Sequence, residues 1–300
     1  MVSPQAQALW AAFRSGPKQI DLDLTARRAA GEAAETPTSE PVGVRVVDEP
    51  AVRGIWVEPE LPRDRAAVLY LFGGGYVLGS PASRRKTAGH LANAARTRVL
   101  VPDYRLAPEH PFPAAVDDAL AAYRFVIGGD VAPERVVLAG DSAGGGLAFA
   151  LLLAVREAGD PLPGGVVAMS PWVDLTCTGT SMTTATGVDI MVTRDGLLDM
   201  ASQYLAGHDA TDPLASPLFG ELGGLPPVLV LVGGDEALLD DAARLVTRAG
   251  ATGTDAQLII GARMQHVWPT WCGALPEADA AMAAIGAWID TGLAASTPPR

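Results

Sequence analysis

Short runs of β-branched and apolar residues alternate with longer alanine-rich stretches from about residue 42 onward. Such alternation is typical of strands and helices that form a largely parallel sheet. It predicts eight strands, at residues 42–47, 52–57, 66–72, 98–101, 135–139, 165–169, 228–232 and 257–260. It also predicts helices after Ser80-Pro81 and at residues 114–127, 143–158, 236–249 and 276–289. We therefore expect an α/β fold with a mostly parallel eight-stranded sheet and helices on both faces.

Two parts of the chain interrupt this alternation. Residues 5–13 and 22–34 have helical patterns but precede the first predicted strand, and residues 174–212 are long for a plain connection. Long insertions commonly form lids or binding loops. We therefore predict an N-terminal helical cap segment at residues 1–41 and a core at residues 42–300, with a cap insertion at about residues 174–212.

Composition and charge exclude several classes of protein. With 49% hydrophobic residues the chain can bury a large core, and its net charge of −12 opposes binding to the phosphate backbone of nucleic acids. No signal peptide or apolar run of about 18 residues is present, so no membrane span is expected. Cys177 and Cys272 are too few for a disulfide framework and lack metal-ligand spacing. These features predict a cytoplasmic protein without a bound metal.

The segment from Gly140 to Gly144 carries the strongest chemical signal in the sequence. It reads Gly140-Asp141-Ser142-Ala143-Gly144, a G-x-S-x-G pattern between an apolar strand and an alanine- and leucine-rich helix. This context predicts a nucleophile elbow, a tight turn that projects the serine hydroxyl from the edge of the sheet. The alternative is a glycine-rich turn whose serine only caps the helix. A nucleotide-binding loop is excluded because neither of its glycine patterns is present.

A serine nucleophile requires a general base and an acid that orients it, which in such folds follow in the order Ser, Asp or Glu, His. Asp235 follows the strand predicted at residues 228–232 and is the predicted acid, although it would also suit a helix N-cap and Glu236 is an alternative. His266 follows the last predicted strand and is the predicted base. The remaining histidines lie in a predicted helix, a proline-rich loop and the insertion, namely His90, His110 and His208.

A glycine loop, Gly73-Gly74-Gly75, follows the third predicted strand. Glycines allow the backbone to approach a ligand closely, so the amides of Gly74, Gly75 and Ala143 are predicted to stabilise an oxyanion. The alternative is a plain turn.

Together these motifs resemble the bacterial hormone-sensitive-lipase-like esterases, including the group of monoterpene ε-lactone hydrolases. The resemblance extends from about residue 66 to residue 289 and includes residues 103–114 and 212–217. It implies an α/β-hydrolase fold with a helical cap and hydrolysis of short- to medium-chain esters without a cofactor. It also implies a catalytic triad of Ser142, Asp235 and His266, and it allows a homodimer.

One residue departs from the family pattern: Phe72 stands where the family's glycine loop usually begins with histidine. We therefore expect a serine carboxylester hydrolase whose partner is a small ester or lactone. A lactone hydrolase or an amidase would use the same residues, and a non-catalytic ligand-binding protein on this fold is the alternative from another class.

Overall fold

The computed structural model describes residues 2–15, 23–33, 38–63 and 65–295. Its strands form one sheet in the order β1-β2-β4-β3-β5-β6-β7-β8. Strand β2 is antiparallel to β1 and β4, and all other neighbours are parallel. The bounds are β1 Val44–Glu49, β2 Gly54–Pro59, β3 Ala67–Leu71, β4 Arg98–Val101, β5 Val136–Asp141, β6 Gly165–Met169, β7 Val228–Gly233 and β8 Ala256–Gly261. The eight predicted strands are confirmed, each within two residues of its predicted ends.

Helices occupy the expected connections. Their bounds are α1 Pro4–Ser15, α2 Leu24–Ala33, α3 Pro81–Ala95, α4 Ala114–Ile127, α5 Ala143–Glu157, α6 Ser181–Thr184, α7 Arg194–Leu205, α8 Leu239–Ala251 and α9 Pro276–Ala295. The start of α3 is fixed by Ser80, which forms a capping box with Ser83. The helix predicted at residues 22–34 is α2, and Leu22 and Ala34 lie outside the described residues. The helix predicted from residue 236 begins only at Leu239, a difference that matters for the site.

The sheet is covered on both faces. Every residue of β3, β5, β6 and β7 is buried. Helix α3 packs against α9, and α4 packs against α5. Strands buried on both faces are largely apolar, which explains the continuous apolar runs in the sequence.

The parallel strands end at a common edge of the sheet. Leu71 of β3 is paired with Gly140 of β5, Asp141 of β5 with Met169 of β6, and Gly233 of β7 with Gly261 of β8. Because side chains that follow these strands meet at the carboxyl edge, segments distant in sequence can build one site there.

Two segments lie outside the sheet. Trp10 of α1 packs on Trp271 with ring centroids 4.8 Å apart. Helix α2 contacts α7 through Arg27 and Asp199, whose nearest side-chain atoms lie 3.9 Å apart. Arg28 Nε donates a hydrogen bond to the carbonyl oxygen of Val77, which joins α2 to the segment after the glycine loop. The N-terminal helices therefore contact both the core and the insertion between β6 and β7.

Candidate active site

Ser142 follows β5 in a backbone conformation that few residues other than glycine adopt, with φ 54° and ψ −123°. The turn is tight on both sides of it. A Cβ on Gly140 would lie 2.3 Å from the carbonyl oxygen of Gly144, and a Cβ on Gly144 would lie 2.1 Å from that of Leu71. Only glycine fits at both positions, so the expected nucleophile elbow is formed.

The surrounding backbone holds this conformation in place. The Ser142 amide donates to the carbonyl oxygen of Met169 at 2.9 Å, and the Ser142 carbonyl accepts from the amides of Gly146 and Trp172 at 3.1 and 3.0 Å. Strain at a single residue persists where neighbouring contacts over-determine it, as they do here. The hydroxyl is therefore presented at a fixed position above the sheet edge.

His266 is brought to Ser142 from the loop after β8. Its Nε2 atom lies 2.9 Å from Ser142 Oγ, which is hydrogen-bond distance, and its ring is only 4% exposed. The fold thus brings together two residues that are 124 positions apart in sequence.

The acid predicted from the sequence, Asp235, is not beside the histidine. Its Oδ2 atom accepts a hydrogen bond from Arg263 Nε at 2.9 Å, and Arg263 is largely exposed. Glu236 is buried instead, and its Oε2 atom lies 3.7 Å from His266 Nδ1. The structure therefore contradicts the placement of Asp235 and puts the adjacent carboxylate in its position.

The reason lies in the turn after β7. The amides of Gly234 and Asp235 donate to the carbonyl oxygens of Gly261 and Met264, which holds the turn against the loop after β8. Helix α8 does not begin until Leu239, so Asp235 is not its N-cap. In this turn the side chain of Asp235 lies beside Arg263, and the side chain of Glu236 is buried beside His266.

A serine that the sequence analysis did not single out fixes the buried glutamate. Ser170, fully buried at the end of β6, donates from Oγ to Glu236 Oε2 at 2.9 Å. Ser170 Oγ in turn accepts a hydrogen bond from the Val267 amide at 3.0 Å. Ser170 therefore joins the glutamate to the residue that follows His266. Nothing in its local sequence indicates this role, because both partners are distant along the chain.

Burial and charge act in opposite directions on the two titratable groups. Burial alone would lower the pKa of His266, but the carboxylates of Glu236, Asp189 and Asp141 raise it above its ordinary value. Burial raises the pKa of Glu236, opposed by its contacts with His266 and Ser170. The site therefore favours a protonated imidazole more than water does.

The glycine loop lies beside the elbow. Gly74 and Gly75 have φ values of 133° and 63°, which favour glycine, and the Gly74 carbonyl accepts from Val77 and Leu78. The amides of Gly74 and Gly75 donate to no acceptor within the described part of the chain. Ala143 is the first residue of α5, where amides have no partner within the helix. These three amides remain the predicted donors to an oxyanion.

Asp141 fastens the glycine loop to the elbow. Its carboxylate, fully buried, accepts from the Tyr70 hydroxyl at 2.7 Å and from the Gly73 amide at 3.0 Å. Arg84 on α3 lies 3.2 Å from it and balances its charge. The sequence places Asp141 next to the nucleophile, but only the fold supplies the arginine.

Phe72 supports the same loop through its ring. It is fully buried and stacks on Tyr104 with ring centroids 4.1 Å apart. The Tyr104 hydroxyl donates to the Phe72 carbonyl oxygen at 2.6 Å. At the position where the family pattern has a histidine, the Phe72 ring therefore supports the loop by stacking on Tyr104.

Two further features concern the described residues as a whole. No group of three or more His, Cys, Asp or Glu side chains among them is arranged to hold a metal ion. None of the described helices is long and apolar enough to cross a membrane.

Comparisons with known proteins identify the fold and the family. A family model described as the alpha/beta hydrolase fold matches residues 68–270. An acetyl-hydrolase of Streptomyces hygroscopicus is 48% identical over 236 residues, which cover 79% of each chain. An esterase of Acinetobacter venetianus is 32% identical over 90% of this chain and 89% of its own.

Solved structures give the same result. An esterase from the bacterial hormone-sensitive lipase family superposes with a TM-score of 0.92 at 41% identity, covering 98% of this chain and 99% of that one. An esterase/lipase from an uncultured bacterium gives a TM-score of 0.92 at 38% identity, covering 97% and 99%. The chain therefore belongs to the α/β-hydrolase fold family, among the bacterial hormone-sensitive-lipase-like esterases, and is a carboxylester hydrolase.

Proposed function

We propose that this chain hydrolyses short- to medium-chain carboxylic esters through an acyl-enzyme on Ser142, with His266 as general base and Glu236 as the acid that orients it. The observation that carries this proposal is the 2.9 Å approach of Ser142 Oγ to His266 Nε2, with the Glu236 carboxylate on the other side of the ring. A serine hydroxyl is a weak nucleophile, and a base at this distance can remove its proton as it attacks.

In the first half-reaction, Ser142 Oγ attacks the ester carbonyl carbon while His266 Nε2 accepts the hydroxyl proton. The carbonyl oxygen becomes an oxyanion between the amides of Gly74, Gly75 and Ala143. Loss of one such donor costs about 2.7–4 kcal/mol of transition-state stabilisation in a comparable site. When the tetrahedral intermediate collapses, the C–O bond to the alcohol breaks and His266 protonates the departing oxygen.

Water completes the cycle. His266, again neutral, accepts a proton from a water molecule that attacks the acyl carbon, and the second intermediate breaks down by returning that proton to Ser142 Oγ. The carboxylic acid leaves, and no cofactor is consumed in either half.

Glu236 acts on the imidazolium that exists during both halves. Its Oε2 atom lies 3.7 Å from Nδ1, beyond the 2.7–3.2 Å typical of an N–H···O bond. Catalytic hydrogen bonds are often long in a free enzyme and shorten as charge develops. We expect the hydrogen bond from Nδ1–H to the Glu236 carboxylate to shorten when His266 Nε2 accepts the proton of Ser142.

We also propose that residues 1–41 and the insertion at about 174–212 together form a cap over this site. The contact between Arg27 and Asp199 supports this proposal because it joins α2 of the N-terminal segment to α7 of the insertion. Helix α7 also packs on the glycine loop, because a Cβ on Gly75 would lie 2.1 Å from Met200 Sδ. A cap in this position would limit the length of acyl chain that reaches Ser142.

The test is hydrolysis of p-nitrophenyl acetate, butyrate, octanoate and laurate by the wild type and by Ser142→Ala. Intact mass after treatment with a phosphonylating reagent reports the nucleophile. We expect the wild type to turn over substrate and to form a single adduct. Ser142→Ala should lose both, and the control Ser15→Ala, at an exposed serine, should keep both. Full activity of Ser142→Ala would contradict the mechanism, and highest kcat/KM on laurate would contradict the chain-length assignment. A parallel assay with ε-caprolactone distinguishes lactone hydrolysis.

A further inference from the structure

Residues 188–192 of the insertion contact both loops that carry the proposed base and acid. The contacts are made by two buried polar side chains that the mechanism above does not use. Asp189 lies in the insertion and reaches the loop after β7, and Gln265 lies in the loop after β8 and reaches the insertion. Gln265 directly precedes His266 in sequence, and Asp189 accepts a hydrogen bond from the amide of Ala237, the residue that follows Glu236.

Asp189 is only 7% exposed, and its carboxylate accepts three main-chain hydrogen bonds. Oδ1 accepts from the amides of Met191 and Val192 at 2.8 and 2.9 Å, which closes a turn within the insertion. Oδ2 accepts from the Ala237 amide at 2.8 Å. The carboxylate therefore fixes the backbone immediately after Glu236.

Gln265 is 1% exposed and makes a reciprocal pair of bonds to the same stretch of the insertion. Its Oε1 atom accepts from the Ile190 amide at 3.0 Å, and its Nε2 atom donates to the Val188 carbonyl oxygen at 3.2 Å. Because both polar ends are used, the side chain has one orientation. The loop that carries His266 is thereby joined to the segment that contains Asp189.

We infer that Asp189 is a positioning residue of this site, acting through the Ala237 backbone on Glu236 and through its charge on His266, with Gln265 completing the connection to the insertion. This inference rests on the proposed function. The insertion would then hold Glu236 and His266 in position relative to each other, in addition to covering the site.

A carboxylate is required for this arrangement for two reasons. Both of its oxygens accept, whereas an amide in the same place would direct an N–H group at one of the three amide donors. Its negative charge also favours the imidazolium. The charged groups that act on His266 are Glu236 after β7, Asp189 in the insertion and Asp141 at the end of β5, and the last of these is balanced by Arg84.

The experiment compares Asp189→Asn with the wild type in kcat/KM as a function of pH, with p-nitrophenyl butyrate as substrate. We expect a fall of about tenfold to a hundredfold at the plateau, since small displacements in an active site have effects of that size. We also expect the acid limb to move to lower pH, because removing a negative charge lowers the pKa of His266. Gln265→Leu keeps every charge and is expected to lower kcat without moving the limb.

The matched control is Asp209→Asn. Asp209 lies in the same insertion and also closes a turn, by accepting from the Thr211 amide at 2.9 Å, but it is exposed. It loses the same charge and should leave both rate and pH profile unchanged. Active-site titration with the phosphonylating reagent and the thermal midpoint of each variant measure the fraction that is folded.

An unchanged rate and an unchanged acid limb in Asp189→Asn would overturn the inference. The inference would also be overturned if the rate fell only in proportion to the fraction of active sites that react with the phosphonylating reagent, while the acid limb stayed in place. That result would mean that Asp189 is needed only for folding. Failure of the proposed function is separate: it would appear in the wild type as absent turnover or absent adduct on Ser142, whatever Asp189 does.

Discussion

Glu236→Gln and Asp235→Asn together test which of two adjacent carboxylates serves the histidine. The first change keeps the size of the buried side chain and its contact with the Ser170 hydroxyl but removes the charge 3.7 Å from His266 Nδ1. The second removes a partly buried charge that pairs with the largely exposed Arg263. The two variants differ by one position in sequence and have the same chemistry.

The expected magnitude follows from the distance. A charge pair 3.7 Å apart at an effective dielectric constant of about 20 interacts by about 4.5 kcal/mol. Glu236 is buried in the resting state and in the transition state alike, so the cost of its desolvation cancels between them. Loss of the interaction with the imidazolium should therefore lower kcat/KM roughly a thousandfold. Asp235→Asn breaks an ion pair with the largely exposed Arg263 that contributes at most about 1 kcal/mol of stability, and its kcat/KM should stay within about threefold of the wild type.

The assay is kcat/KM for p-nitrophenyl butyrate at the plateau pH, corrected by active-site titration and accompanied by circular dichroism spectra of both variants. A large loss in Asp235→Asn with activity kept in Glu236→Gln would refute the reasoning and restore the acid predicted from the sequence. Normal activity in both would mean that no carboxylate is required beside His266.

Three further predictions follow from the same contacts. Because its neighbours raise the pKa of His266 and catalysis needs the neutral ring, the acid limb of kcat/KM should lie above about pH 6.5, and a limb below pH 6 would contradict this. Arg84→Leu leaves the Asp141 carboxylate buried without a counter-ion and should reduce the free energy of unfolding by about 3 kcal/mol in urea titrations, so an unchanged midpoint would argue against the pair. Gly144→Ala places a Cβ 2.1 Å from a main-chain oxygen of β3 and should abolish activity, whereas Gly250→Ala, with open space around its Cβ, should be folded and active. Equal activity in the two glycine variants would show that the elbow tolerates a side chain.

The sequence determines the sheet and two members of the site for local reasons. Continuous apolar runs mark the central strands, which helices cover on both faces, and the alternation of short β-branched runs with alanine-rich stretches locates the other strands. Ser142 is identified by the glycines on either side of it, because a tight turn excludes side chains there. His266 is identified by its position after the last strand, since the carboxyl ends of parallel strands lie at one edge.

The tertiary structure decides which carboxylate completes the site. Asp235 and Glu236 are adjacent and chemically alike, so no local pattern separates them. Their orientations depend on hydrogen bonds from the turn after β7 to Gly261 and Met264, which are distant in sequence. The same applies to Ser170 and Asp189, whose bonds to the catalytic loops join segments about fifty or more positions apart. Side-chain direction in a loop is set by such long-range contacts, and these exist only in the folded chain.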